Sequence, residues 1–263
     1  MKNYKNMPCV NIKLNVNGFE TEARYFQEDI GKIFLPLIKT LSDILFDIKI
    51  KKAGQGMLIV YLAAPPGAGK TTLALFLSRL SETEKEAVRI QSVGIDGFHY
   101  PQEYIEKHSI IINGETIPMR NIKGSPETYD LQKLTDKIKL LHDNKKNKNI
   151  KFPVYDRNLH DVIQDAVLIR EDIVIIEGNW LLLDEPGWRE LISFCDYSIF
   201  IYAEENMLKE RLIQRKISGG ASPEDAEKFY DQSDSVNIKR AILKRLKSDC
   251  ELTLNKYGKF SIK

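Results

Sequence analysis

M-L-I-V-Y-L-A-A-P-P-G-A-G-K-T-T-L-A-L-F-L, residues Met57 to Leu77, is the stretch that decides the fold. A short apolar run ends in a Pro/Gly turn, which empties into Lys70, Thr71, Thr72 and a helical pattern. Strand, loop and helix therefore follow in the order a phosphate-binding loop requires. Gly67 and Gly69 carry no Cβ, so successive backbone N–H groups can turn inward around phosphate oxygens. The helix that opens near Lys70 aims the positive end of its dipole at the same anion. In such a loop Pro66, Gly67, Ala68, Gly69, Lys70, Thr71 and Thr72 hold a nucleotide, with Lys70 reaching the β and γ phosphates and the Thr71 hydroxyl on Mg²⁺. The motif's first glycine is Ala64 here, which serves as long as the backbone keeps a negative φ.

Outward from this stretch, strand and helix alternate. Val88 to Ile95 reads as a second strand and Ile173 to Ile176, continuous and β-branched, as a strand buried on both faces. Ser198 to Tyr202 is another buried strand, and Glu251 to Leu254 and Lys259 to Ile262 are closing strands. Helices are expected over Leu73 to Leu80, from an N-cap at Ser125 to about Asp143, briefly over Trp188 to Phe194, over Glu205 to Ile217, and from Pro223 to about Lys247. The alternation predicts one doubly wound parallel sheet flanked by helices, an α/β fold. Residues 100 to 126, with weak periodicity, read as a long functional loop or small excursion. Phe152 to Arg157 and Ala166 to Arg170 read as separate extended pieces, and Lys145 to Lys151 as a solvated turn.

Before this core, Cys9 to Val16 alternates apolar and polar, and Asn17-Gly18 signals a hairpin into a strand from Thr21 to Tyr25. Glu28 to Ile50 repeats its apolar residues at helical spacing, with Pro36 marking a kink or break. The expected organisation is an extension over residues 1–52, packed on a phosphate-loop domain over 53–263.

The 263 residues leave room for a large core, and 39 basic against 37 acidic residues, a formal charge of +2, give no field that implies a nucleic-acid partner. No apolar run approaches the ~18 residues of a membrane span. Met1 to Lys5 is polar, so no secretory leader is expected. Cys9, Cys195 and Cys250 are odd in number and far apart, as in reduced thiols of a cytoplasmic protein.

The chemistry is expected from two carboxylates at strand ends. Asp96, before Gly97, and Glu177, before Gly178, would rise above the sheet's carboxyl edge if their strands flank the phosphate-loop strand. Asp96 is then the base for an acceptor hydroxyl, and Glu177 holds Mg²⁺ or orients Asp96. Both also fit ordinary turns. Arg211 and Arg215, four apart on one helix face before Gly219-Gly220, are candidates for a lid over the phosphates, or for surface pairs with neighbouring glutamates.

Five ordered motifs carry a resemblance: the phosphate loop, D-G-F-H-Y-P at 96, K-G-S-P-E-T-Y-D at 123, P-V-Y-D-R-N-L-H at 153 and E-G-N-W-L-L-L at 177. Together they resemble the phosphoribulokinase/uridine kinase/type I pantothenate kinase family of P-loop kinases, over about residues 57 to 250. The whole chain looks closest to a bacterial nucleoside-kinase-like, or fructose-transport-kinase-like, subgroup. The resemblance implies a P-loop NTPase fold with a helical lid, ATP as donor, Mg²⁺ as cofactor, Asp96 as catalytic base and Glu177 as its acidic partner. It also implies a lid containing Arg211 and Arg215; Lys70 and Arg215 are taken as catalytic candidates and Arg211 as a nucleotide-binding one.

For the acceptor the motifs divide. Pro153, Tyr155, Asp156 and His160 match the uridine kinase pattern, yet Asp161 and Val162 stand where that pattern has an arginine for the ribose. The motifs at 96 and 123 look more like the pantothenate kinase versions. His99, Arg120, Lys123, Tyr155, Arg157 and His160 are the candidate acceptor residues, for a nucleoside, a pantothenate-like molecule or a sugar. The expected partner is this small hydroxyl acceptor, with no nucleic acid and no membrane; a homodimer is compatible with the sequence. A nucleotide-binding regulatory ATPase without an acceptor is the alternative reading.

Overall fold

The computed structural model describes residues 7–16, 18–84, 87–112, 114–143, 149–156 and 158–263. Its strands are β1 (Cys9–Val16), β2 (Phe19–Phe26), β3 (Leu58–Ala63), β4 (Ile90–Gly94), β5 (Ser109–Ile112), β6 (Glu115–Pro118), β7 (Lys151–Asp156), β8 (Asp161–Leu168), β9 (Ile173–Gly178), β10 (Tyr197–Ala203), β11 (Cys250–Leu254) and β12 (Phe260–Ile262). Six of them form one sheet in the order β12-β11-β10-β3-β9-β4, parallel except for β12. β3 and β9 are buried at every position. A strand covered on both faces has no solvent side to alternate toward, which is why both read as unbroken apolar runs.

The side chains of β3 divide the core in two. Leu58, Val60 and Leu62 point into one apolar layer, with Leu41 and Leu45 of the helix Leu35–Lys51 and Leu73 and Leu77 of the helix Lys70–Thr83. Ile59, Tyr61 and Ala63 point into the other, with Leu134, Ile138 and Leu141 of the helix Leu131–Asp143. Helices thus cover both faces, as in a doubly wound fold.

One expectation about the sheet is corrected. The strand that leads to Asp96 does not flank the phosphate-loop strand; β9 lies between them, pairing Leu62 with Glu177 on one side and Glu177 with Gly94 on the other. The three strand ends still rise to one level.

Outside the sheet the structure redraws several elements. The helix expected from Ser125 begins at Leu131, because Tyr129 is extended and bridged to His99; Asp130 Oδ1 takes the Lys133 N–H at 3.0 Å instead. Pro36 breaks nothing. A π turn, Ile30–Phe34, precedes it, and Pro36 sits in the first turn of Leu35–Lys51, where a missing N–H costs little. The helical run from Pro223 holds a π turn, Tyr230–Asp234, and ends at Leu243, where the chain turns to bond the 182–184 segment through Asp184 N to Lys244 O and Leu246 N to Leu182 O. The two extended pieces after residue 150 are one antiparallel hairpin, β7–β8, with a register shift at Pro153, which has no N–H for a ladder. The excursion contains a short helix, Gln102–Lys107, and the hairpin β5–β6. Residues 144–148 of the lysine-rich run lie outside the described residues, as does Asn17 of the hairpin turn. Among the described residues no helix is long and apolar enough to cross a membrane.

The hairpin β1–β2 buries Leu14, Val16 and Tyr25 in the first apolar layer. Tyr25, 3% exposed, stacks on Phe76 at 3.9 Å between ring centroids and meets Phe34 edge-on at 5.7 Å. Asp29 takes the Phe260 N–H and the Lys259 ammonium, both at 2.8 Å, fastening the start of the N-terminal helix to β12. Tyr25→Ala is expected to lower unfolding stability by about 3 kcal/mol, the range for deleting a buried aromatic. Urea denaturation reads this directly, and a loss below about 1 kcal/mol would show that the hairpin contributes little to the core.

Candidate active site

The loop between β3 and the helix Lys70–Thr83 turns on two glycines, Gly67 and Gly69, each at a φ of 82°. At that dihedral a side chain is strained, and a Cβ on Gly67 would also lie 3.1 Å from Leu212 Cγ. The described non-glycine residues with positive φ are Ala53, His160 and Asp165, so Ala64 keeps the negative φ that an alanine tolerates at the motif's first position. Pro66 and Ala68 are buried within the loop, and Thr72 Oγ1 donates to Gly69 O at 2.7 Å, closing the first helical turn.

Glu177, at the end of β9, is 5% exposed. Its Oε1 accepts from the Thr71 hydroxyl at 2.9 Å and its Oε2 lies 3.9 Å from Lys70 Nζ. Gly94 makes this possible from the β4 side: a Cβ there would come within 2.9 Å of Glu177 Oε1. A carboxylate, an ammonium and a hydroxyl thus meet at a helix N-terminus, where the dipole favours negative charge. Hydroxyl and carboxylate oxygens are donors of the hard kind Mg²⁺ takes, alongside substrate phosphates and water. Among the described residues no group of three or more His, Cys, Asp or Glu forms a separate metal cluster.

Asp96 follows β4 on a single 3-10 turn, Ile95–Phe98, and is half-buried. The Tyr129 hydroxyl donates to its Oδ1 at 3.1 Å. Burial, and then the Asp96 charge, push the Tyr129 pKa well above its ordinary value, so the phenol stays a donor. His99 stacks on Tyr129 at 3.8 Å between centroids, and its Nδ1 lies 3.1 Å from the Thr128 carbonyl oxygen. A carbonyl only accepts, so this contact selects the tautomer with the proton on Nδ1. Gly97 lets the β7 backbone approach: a Cβ on it would lie 2.4 Å from Pro153 O.

The remaining sequence candidates are distributed around this centre. Lys123 Nζ donates to the Tyr155 hydroxyl at 2.9 Å and also to Gln102. Arg120 is exposed on the turn Met119–Ile122, and His160 is exposed in the β7–β8 turn. Arg157 lies outside the described residues. The two lid arginines have different neighbours. Arg211 Nη1 lies 3.4 Å from Gly67 O, and burial pushes its pKa down; Arg215 acts on Asp234, whose pKa burial raises against the pull of Arg215 and Lys216. Tyr129 is the residue that sequence reasoning passed over. Its motif at 123–130 was visible, but the bond to Asp96 joins elements 33 residues apart.

Comparison with known proteins fits this geometry. The sequence model of the phosphoribulokinase/uridine kinase family matches residues 59–234. The uncharacterized protein YggC of Escherichia coli (strain K12) is 36% identical over 249 residues, 95% of this chain and 98% of its own. A pantothenate kinase of Histophilus somni (strain 2336) is 28% identical over 86% of this chain and 78% of its own. Among solved structures, a "putative fructose transport system kinase" from Silicibacter sp. TM1040 superposes with a TM-score of 0.66 at 27% identity, covering 80% of this chain and 98% of that one.

The buried His99 makes stability depend on pH. Burial lowers its pKa in the folded chain, so as pH falls the unfolded chain takes up the proton first. The stability present above about pH 6.5, the ordinary imidazole value, is therefore lost as pH drops toward the folded-state pKa. Urea midpoints at pH 7.5 and 5.5 should fall more steeply for the wild type than for His99→Gln; equal slopes would show that His99 is not held neutral.

Proposed function

Because the chain belongs to the phosphoribulokinase/uridine kinase family, we propose that it moves the γ-phosphoryl group of ATP to a hydroxyl of a small polar metabolite. The observation that carries this reading is the convergence of Lys70, Thr71 and Glu177 at the phosphate loop, with Asp96 beside them on the next strand's turn. A loop that only held a nucleotide would have no use for a second carboxylate poised by a buried phenol.

In this reading the loop amides from Gly67 to Thr72 cradle the phosphates and Lys70 reaches the β and γ groups. Thr71 and Glu177 would hold Mg²⁺, which would offset the negative charge on the phosphate oxygens. Asp96 accepts the acceptor's hydroxyl proton; the acceptor oxygen bonds to the γ phosphorus as the bond from that phosphorus to the bridging oxygen breaks, and ADP leaves. Tyr129 positions Asp96 through its hydrogen bond, and His99 supports Tyr129 from behind. Arg211 lies against the loop, while Arg215 is carried by the same helix as a lid cation. The acceptor side is assigned to Lys123 and Tyr155, joined by a hydrogen bond, with Arg120 and His160 exposed on the turns around them. Residues 53–263 are the kinase domain in this reading, and the described part of residues 1–52 is an extension packed on it. The names of two relatives place pantothenate and fructose on the list of acceptors to test, beside uridine.

Coupled ADP release with Mg²⁺, ATP and these acceptors tests the proposal. One acceptor should raise turnover well above background with a mass gain of one phosphoryl group. Asp96→Asn should then lower transfer by about 10³-fold with ATP affinity retained, within the range for a positioned base. Lys70→Ala should weaken ATP binding and transfer together. Near wild-type turnover in Asp96→Asn would remove it from the base role, and ATP hydrolysis indifferent to every acceptor would favour the regulatory ATPase.

A further inference from the structure

The hairpin β1–β2 lies outside the residues the family model matches, yet it reaches the reacting end of the sheet. Its inner face docks on the helix that follows the phosphate loop, where Tyr25 stacks on Phe76. That docking carries the tip alongside Thr71. At Gly18 the tip also rests on the β7–β8 turn: a Cβ on Gly18 would lie 2.9 Å from Asn158 Nδ2. Between the two hairpins is a cavity of about 300 Å³, lined by Asn15 and Gly18 of one and Tyr155 and Asp156 of the other, together with Thr71 and Glu177. This volume sits at the small end of ligand sites.

The charge of the cavity is one-sided. Asp156 and Glu177 line it, and no lysine, arginine or histidine stands among the described residues that do. Lys70 is engaged with Glu177 and, in the reading above, with the nucleotide. Glu177 is matched by Lys70 and, in that reading, by Mg²⁺, so it is at Asp156 that a carboxylate or phosphate on the acceptor would meet like charge and lose its hydration, whereas hydroxyl groups would find oxygens to donate to. Asn15 supplies the complementary group. Its Oδ1 takes the Gly18 N–H at 3.0 Å, so what it offers a bound molecule is the Nδ2 donor.

We propose that the N-terminal hairpin is a wall of the acceptor site, that Asn15 is a specificity-determining residue, and that the acceptor is an uncharged polyhydroxyl compound. This rests on the phosphoryl-transfer reading. The test compares matched acceptors, ribose and fructose with ribose 5-phosphate and fructose 6-phosphate, together with uridine and pantothenate, in wild type, Asn15→Asp and Asn15→Ser. Both variants keep an oxygen for the Gly18 N–H and lose the amide donor; only the first adds charge.

An uncharged acceptor should stimulate ADP release, and both variants should raise its KM at least tenfold, with the KM for ATP within twofold and the melting temperature unchanged. Unchanged acceptor KM in the variants, or a rise in Asn15→Asp alone, would overturn the role of Asn15. Stimulation by anionic acceptors only would overturn the acceptor class and leave the kinase reading standing. Stimulation by none would overturn the kinase reading itself, and this inference with it.

Discussion

A buried carboxylate is the constraint from which the rest of this site follows. Removing a charge from water costs several kcal/mol even after relaxation, and only close partners offset it. Glu177 has them in the Thr71 hydroxyl at 2.9 Å and the Lys70 ammonium at 3.9 Å, both at the opening of one helix. To bring them together β9 must lie beside β3, and the β4 backbone passes so close at Gly94 that a Cβ there would press on the Glu177 carboxylate at 2.9 Å. Strand order, loop geometry and one glycine are thus tied to a single charge. The same ammonium that offsets Glu177 is the one a phosphate loop directs at the nucleotide.

A second group of contacts is built around Asp96 on the same principle, with hydrogen bonds in place of an ion pair. Asp96 stands two residues past the end of β4, on a 3-10 turn, and would be loosely aimed by the strand alone. Tyr129 fixes it, the His99 ring lies against Tyr129, and Thr128 fixes the His99 tautomer. Gly97, pressed against Pro153, ties the same turn to β7. The carboxylate and the hairpin that borders the cavity therefore share one mechanical support, so a shift in either would be felt by the other.

What was legible in the sequence was local. The unbroken runs at Leu58–Ala63 and Ile173–Ile176 announce buried strands because burial on both faces leaves no other pattern, and the glycines at 67 and 69 announce the loop because few residues accept its dihedrals. The N-terminal hairpin was equally legible from its alternation. The misplaced elements were decided by distant partners. Ser125-Pro126-Glu127 does open a 3-10 turn, Pro126–Thr128, but the bridge between Tyr129 and His99 holds Tyr129 extended, and Asp130 takes over as the cap of the helix that follows. Pro36 looked like a break, yet the adjacent π turn absorbs the irregularity. Nothing near Tyr129 announces Asp96 as its partner, and no periodicity tells that β9 slots between β3 and β4.

The edge of the sheet explains why a cavity exists at all. β4 is an edge strand, and an uncovered edge invites another strand. The hairpin β7–β8 lies close by but forms its own two-stranded sheet. Gln91 of β4 holds the chain that leaves β8 through its side chain: its amide donates to Leu168 O at 2.9 Å, and its Oε1 takes the Arg170 N–H at 2.8 Å. A side-chain clamp sets the hairpin further out than a backbone ladder would, since neighbouring strands of a ladder stand only about 4.8 Å apart. Ser92 and Val93 of β4 consequently face a cavity and not a seventh strand. With one hairpin held off the edge and another docked on the phosphate-loop helix, a compartment opens beside the buried carboxylate, and its walls are set by residues that the loop motif does not dictate. In such an arrangement the donor side is fixed by the requirements of phosphate, while the acceptor side is free to differ.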